Sequence, residues 1–189
     1  MTEFRSKALI ALGGNLPSDV GSPQETLSAA ISRLSEYQID VRAISRFFAT
    51  PCFPVGAGPD FVNAAIAVAY DGTPAQLLAH LHTVEASLLR KRDQRWGVRT
   101  VDLDLLAVNQ MILPDVAGFQ SWLDLPMDQQ TQVAPDELIL PHPRIQDRAF
   151  VLVPLCDIAP NWRHPVLGRT VSDLCAALPV DEINAVKPI

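Results

Sequence analysis

Apolar positions along the first 108 residues follow two periods, alternating runs with a spacing of two and stripes with helical spacing. "KALIAL" (7–12) is a short apolar run closed by Gly13-Gly14, and it predicts a buried strand. "SPQETLSAAISRLSEY" (22–37) opens like a helix, with Ser22 as N-cap, Pro23 at the first helical position and Glu25 completing a capping box. Leu27, Ile31 and Leu34 then form one apolar stripe. "IDVRAISRFFAT" (39–50), rich in β-branched and aromatic residues, predicts a strand that ends at Pro51. The next ten residues, "PCFPVGAGPD", hold three prolines and two glycines and predict a loop.

"DFVNAAIAVAY" (60–70) predicts another strand. Period two puts Val62, Ala64, Ile66, Val68 and Tyr70 on one face, and Phe61, Asn63, Ala65 and Ala67 on the other. Thr73, Pro74 and Gln76 start a second helix, with Leu77, Leu81, Val84 and Leu88 as its stripe, and "TVDLDLLAV" (100–108) is the fourth strand. The order β-α-β-β-α-β is the ferredoxin-like arrangement, an α+β fold with a mostly antiparallel sheet. Each helix has one stripe to bury, so both cover the same sheet face. The other face is left to Phe61, Asn63, Asp102 and Asp104, which makes it the place for a site.

Beyond residue 108 the pattern weakens. Residues 109–140 predict a long excursion with one short helix. "LILPHPRIQDRAFVLVPL" predicts a strand, a rigid Pro-His-Pro turn and an apolar stretch, and "RTVSDLCAALP" a helix; these are additions to the core. The 189 residues suit a single domain spanning 1–189, and 48% hydrophobic with 19% charged residues is a globular balance.

A formal net charge of −6 argues against a nucleic-acid partner, but a local arginine cluster still suits a small anion. Cys52, Cys156 and Cys175 are too scattered for a disulfide framework or zinc site, and no run is long enough to span a membrane. A soluble protein of the cytoplasm is the expectation, with no membrane partner.

The informative stretch is "RWGVRTVDLDLL" (95–106). Asp102 and Asp104, two apart on a strand, stand on one face roughly 7 Å from each other. Like charges so close suit a hard cation of the magnesium type, completed by water and phosphate oxygens. A solvated strand face with salt bridges to Arg95 or Arg99 accounts for the same spacing. Arg90, Lys91, Arg92, Arg95 and Arg99 precede the pair, and guanidinium groups grip phosphate oxygens in bidentate fashion. A basic helix end complementing its dipole explains Arg90 and Arg92 equally well, but not Arg95 or Arg99. Trp96 suits stacking on a flat heterocycle or anchoring of its loop. His142, fixed between Pro141 and Pro143 and followed by Arg144 and Arg148, is a phosphate-contact candidate. "ALGGNLPS" matches neither a Walker A nor a dinucleotide fingerprint, so side chains and metal would have to hold any nucleotide.

"ALGGNL", "ATPCFPVGAGPDFVNAA", "RWGVRTVDLDLL" and "LPHPRIQDRAFVLVPLCDIAP", in this order, resemble the 6-hydroxymethyl-7,8-dihydropterin pyrophosphokinase family over roughly residues 8–160. The resemblance implies transfer of diphosphate from ATP to the pterin hydroxymethyl group with release of AMP; a monomer is the expectation for the chain. It implies Asp102 and Asp104 as ligands of two Mg²⁺ ions, Arg99 and Arg90 as catalytic arginines, and His142, Arg148, Arg92 and Trp96 as ATP contacts. It further implies a pterin pocket of Thr50, Pro51, Phe61, Asn63, Trp96 and Phe150. The chain departs from the family pattern in three places. Leu89-Arg90 replaces Gly-Arg with one residue fewer before Trp96, so Arg92 rivals Arg90; Val98 replaces a proline; and 109–140 is long. The competing reading is a ferredoxin-like regulatory domain that binds nucleotide or metal without turnover.

Overall fold

The computed structural model describes residues 6–52, 58–88, 100–126, 129 and 135–189. Strand β1 (Ser6–Gly14) is followed by helix α1 (Pro23–Arg33), strands β2 (Asp40–Ile44), β3 (Phe48–Thr50) and β4 (Phe61–Tyr70), helix α2 (Pro74–Leu88) and strand β5 (Asp102–Val108). Helices α3 (Val116–Leu123), α4 (Ala149–Ile158), α5 (Val171–Ala176) and α6 (Val180–Ala185) follow, and strand β6 (Lys187–Pro188) comes last. One six-stranded sheet runs β5-β1-β4-β3-β6, with β2 also paired to β4, and every pair is antiparallel.

Both core helices begin where their side chains can satisfy free backbone N–H groups. Ser22 accepts from the Glu25 amide while the Glu25 carboxylate accepts from the Ser22 amide. Thr73 and Gln76 repeat that exchange ahead of α2. Their stripes lie on one sheet face: Leu27, Ala30 and Leu34 with Leu77, Leu81, Val84 and Leu88 cover Ile10, Leu12, Ala64, Ile66, Leu103 and Leu105.

The strand predicted over 39–50 is two strands. Between the pairs Ile44↔Ile66 and Phe48↔Asn63 the first segment advances four residues and β4 only three, so one residue is extra. Ser45 absorbs it: its amide donates to the Ala65 carbonyl and its Oγ accepts from the Ala65 amide, both at 2.9 Å. Arg46 then turns out to grip both Asp157 carboxylate oxygens on α4, at 2.9 and 2.8 Å.

The second sheet face is half covered. The apolar stretch after the Pro-His-Pro turn is helix α4, because Val151, Leu152 and Leu155 recur at helical spacing and pack on Leu9, Ala11 and Ala65 together with Val171 and Leu174 of α5. The strand predicted ahead of that turn reduces to one isolated bridge, Leu113↔Leu140. The end of this face nearest Gly13 stays open.

Candidate active site

The sheet register sets out the open end. Asp102 lies opposite Gly13, Gly13 opposite Asn63, and Asn63 opposite Phe48; one row along, Asp104 lies opposite Ala11 and Ala11 opposite Ala65. Period two then puts Asp102, Asp104, Gly13, Ala11, Asn63 and Phe61 on one face, while Leu103 and Leu105 are buried on the other. Above this floor is a cavity of about 670 Å³, closed at the sides by Thr50–Cys52, by Arg144–Phe150 and by Glu182, Ala185 and Val186.

Asn63 is buried, and its Nδ2 donates to Thr50 Oγ1 at 2.7 Å, which fixes the amide. Its Oδ1 therefore lies over Gly13, where a Cβ would stand 3.0 Å from it. Glycine at 13 keeps both the carbonyl and the floor accessible. Phe61 is half-buried and Phe150 is 40% exposed; both rings line the cavity, as do Thr50 and Pro51. Asn15 is buried, and its Nδ2 donates to the Pro59 carbonyl at 3.3 Å, tying the end of β1 to the approach to β4.

The acidic side is built differently. Asp104 and Arg148 face each other at 3.9 Å, outside hydrogen-bond length, and the Arg148 guanidinium carbon lies 5.7 Å from the centre of the Phe150 ring. On the opposite sheet face Glu85 of α2 accepts from the Leu103 amide at 2.6 Å. Burial raises its proton affinity, the Leu103 hydrogen bond opposes that, and the charges of Asp102 and Asp104 raise it further. The field of the acid pair thus reaches through the sheet.

No group of three or more metal-ligating side chains occurs among the described residues. A pair of carboxylates open to a cavity nonetheless fits a Mg²⁺-type ion, which takes its other ligands from water and phosphate oxygens.

His142 stands behind this wall and is not among the residues that line the cavity. Its amide donates to the Leu106 carbonyl and its Nδ1 accepts from the Arg144 amide at 3.1 Å. Burial, then the charges of Arg148 and Arg144, push its pKa down to about 4. The ring is therefore neutral near pH 7 and carries its proton on Nε2, as a donor.

Of the site residues expected from sequence, Thr50, Pro51, Phe61, Asn63, Asp102, Asp104, Arg148 and Phe150 share this one cavity. Arg90, Arg92, Trp96 and Arg99 lie outside the described residues. Arg144, Asp147, Cys52 and the 182–186 wall were not anticipated as cavity residues. Arg144 and Asp147 had a signal in the His142–Arg148 motif, whereas Glu182 had none.

An antiparallel sheet carrying paired carboxylates beside arginines in an open cavity has the chemistry of a nucleotide-dependent transferase. A family model, 7,8-dihydro-6-hydroxymethylpterin-pyrophosphokinase (HPPK), matches residues 9–160. A Pseudomonas aeruginosa protein is 36% identical over 181 residues, 94% of this chain and 95% of its own length. A Synechocystis protein is 31% identical over 182 residues, 96% of this chain and 80% of its own. Both are named 2-amino-4-hydroxy-6-hydroxymethyldihydropteridine pyrophosphokinase. Among solved structures, Plasmodium falciparum HPPK-DHPS superposes with a TM-score of 0.63 at 15% identity, and an HPPK-DHPS in complex with substrates with 0.65 at 13%. Those likenesses speak for the fold, and this chain spans only 42% and 43% of the two proteins' lengths. The chain belongs to the 7,8-dihydro-6-hydroxymethylpterin-pyrophosphokinase family.

Proposed function

We propose that this protein transfers the terminal diphosphate of ATP to the hydroxymethyl group of 6-hydroxymethyl-7,8-dihydropterin, releasing AMP, as a step of folate biosynthesis. One observation carries the reading: in a chain of this family, the register sets Asp102 and Asp104 on the same cavity floor as Asn63 and Phe61. Phosphate chemistry and a ring pocket then sit side by side.

Phosphoryl-type transfer is mostly positioning plus neutralisation of charge, so it needs no protein nucleophile. Asp102 and Asp104 would hold Mg²⁺, two ions by analogy with the family. When bound, the metal neutralises phosphate charge and lowers the pKa of the substrate hydroxyl. Arg148 faces the phosphates from the α4 side, and neutral His142 donates through Nε2. Arg99 and either Arg90 or Arg92 are assigned to the transferring phosphates, and Trp96 to the rim of both pockets. Phe61 and Phe150 hold the flat ring between them. Thr50 and Asn63 fix its polar edge, with Pro51 closing the side. The unit is a single domain over 1–189 that acts as a monomer in the cytoplasm, where ATP is supplied and its three cysteines stay reduced.

The test is AMP release from ATP with Mg²⁺, with and without the pterin, for the parent and for Asp102→Ala. The parent should form AMP only with pterin, and the variant should lose on the order of a hundredfold or more in kcat with an unchanged circular dichroism spectrum. Parent-like turnover by Asp102→Ala would remove the carboxylate from the mechanism. A parent that binds ATP but forms no AMP would be a regulatory binding domain instead.

A further inference from the structure

Two of the three cysteines meet away from the cavity, in the helix layer that covers the second sheet face. On α4, Leu152 and Leu155 are buried and Cys156 comes next; on α5, Val171 and Leu174 are buried and Cys175 comes next. The spacing i, i+3, i+4 is the same on both helices, so each cysteine stands at the edge of its helix's apolar stripe. Both pack against the cluster those four residues form, and both are partly exposed. The chain between them doubles back to bring the helices together. Arg163 bridges to Thr170, the Val171 amide donates to the Trp162 carbonyl at 3.0 Å, and the Ser172 amide donates to the Pro160 carbonyl at 3.1 Å. The two thiols end up hydrogen-bonded to each other across the seam between α4 and α5.

Diphosphate transfer makes no use of this pair. A free cysteine usually packs as a small apolar residue, but two thiols in contact at an edge that solvent reaches can exchange with a disulfide and close on each other. The two sulfurs are not equivalent. Burial, the neighbouring Cys175 sulfur and the Asp157 carboxylate push the Cys156 thiol up to about 12. Cys156 is therefore the donor of the pair and Cys175 the acceptor, so thiolate attack starts at Cys175. Because the thiols already touch, bridging them asks for rotation about side-chain bonds and leaves the helices where they are.

We propose that Cys156 and Cys175 form a redox-modification site, a dithiol that closes to a disulfide when the protein meets a low-molecular-weight disulfide and reopens in excess thiol. The Cys175 thiolate attacks one sulfur of the small disulfide, forming a mixed disulfide and expelling one small thiolate, which takes up a proton. Cys156 then loses its proton to solvent and attacks the Cys175 sulfur; the S–S bond between them forms as the second small thiolate leaves and is protonated. The two cysteines give up two electrons and two protons, and the small disulfide is reduced to two thiols. In the reducing compartment assigned above the pair rests as a dithiol, and the bridge marks exposure to oxidant. Neither step involves the cavity, so the site stands apart from the pterin reading.

The experiment incubates the reduced full chain with glutathione disulfide, blocks the remaining thiols with N-ethylmaleimide, and maps the tryptic peptides by mass without reduction. Trypsin cuts after Arg148, Arg163 and Arg169, which puts Cys156 and Cys175 in separate peptides. In the parent these two peptides should appear joined, to an extent unchanged on dilution of the protein, and dithiothreitol should separate them again. Cys156→Ser should trap glutathione on Cys175, whereas Cys175→Ser should gain an adduct on Cys156 roughly tenfold more slowly or not at all. A parent that keeps glutathione on either cysteine without the joined peptides overturns the proposal, as does one in which both thiols stay free. Joined peptides that disappear on dilution also overturn it, since they would link two molecules. An adduct forming as fast on Cys156 in Cys175→Ser as on Cys175 in Cys156→Ser refutes the order of attack.

Discussion

His164 makes the stability of this protein depend on pH in a predictable window. The residue is completely buried, packed against Phe119 and Trp162 with ring centres 5.5 and 5.7 Å away. Its Nδ1 accepts from the amides of Val166 and Leu167 at 3.3 and 3.1 Å, so the neutral ring carries its proton on Nε2, which is buried without a partner. A second proton would have to go onto Nδ1 and would break both hydrogen bonds. Burial accordingly pushes the pKa from 6.5 to about 4. Between those values the unfolded chain takes up a proton that the folded one refuses, so stability is full above about pH 6.5 and falls as the pH drops toward 4. The gap corresponds to roughly 3 kcal/mol at most. His164→Asn keeps a short acceptor and removes the titration. Urea melts followed by tryptophan fluorescence at pH 7.5, 6.5, 5.5 and 4.5 give the stability of each protein. The variant should lose stability at pH 7.5 through its smaller side chain, then recover up to about 3 kcal/mol relative to the parent by pH 4.5. Profiles that run parallel through the window would refute the argument, because a constant offset reports packing alone.

Two further substitutions probe the site from its floor and from behind. Gly13→Ala places a Cβ 3.0 Å from Asn63 Oδ1, whose amide is already fixed by Thr50, so the pterin KM should rise about tenfold while that for ATP holds; steady-state kinetics in both substrates decide, and an unchanged pterin KM removes Asn63 from the pocket. Glu85→Ala strips the Leu103 amide of its acceptor, so we expect about 1–3 kcal/mol of lost stability by thermal melting and a lower kcat from a displaced acid pair. Glu85→Gln retains an acceptor oxygen and should restore much of both, and identical behaviour of the two variants would discount the hydrogen bond.

Local rules carried the helix starts, where Ser22–Glu25 and Thr73–Gln76 are complete within four residues. Strict alternation carried the acid pair too, since two residues along a strand return to the same face wherever that strand lies. The break at Ser45 was not legible, because its cause is the Ala65 backbone on another strand. Strand β6 is two residues long and exists through pairing with residues some 140 positions earlier, so no window of sequence contains its reason. Glu182 was hidden likewise, as its place follows from that pairing. For α4 the sign was present but ambiguous: a short apolar run fits a buried strand or a buried helix until its partners are known.

Strand β1 contributes to the cavity mainly by what it lacks. Ala11 and Gly13 leave the floor low between the carboxylates of β5 and the amide of β4, and neither supplies a reactive group. A larger residue at 13 fills volume that the substrate needs, whereas the small side chain of Ala11 also makes room for α4. Tolerance to mutation should therefore divide along this one strand. At Ile10 and Leu12, fully buried beneath the helices, folding sets the limit and survival should track stability. At Gly13 the limit is turnover, so well-folded, abundant and inactive variants should concentrate at that position.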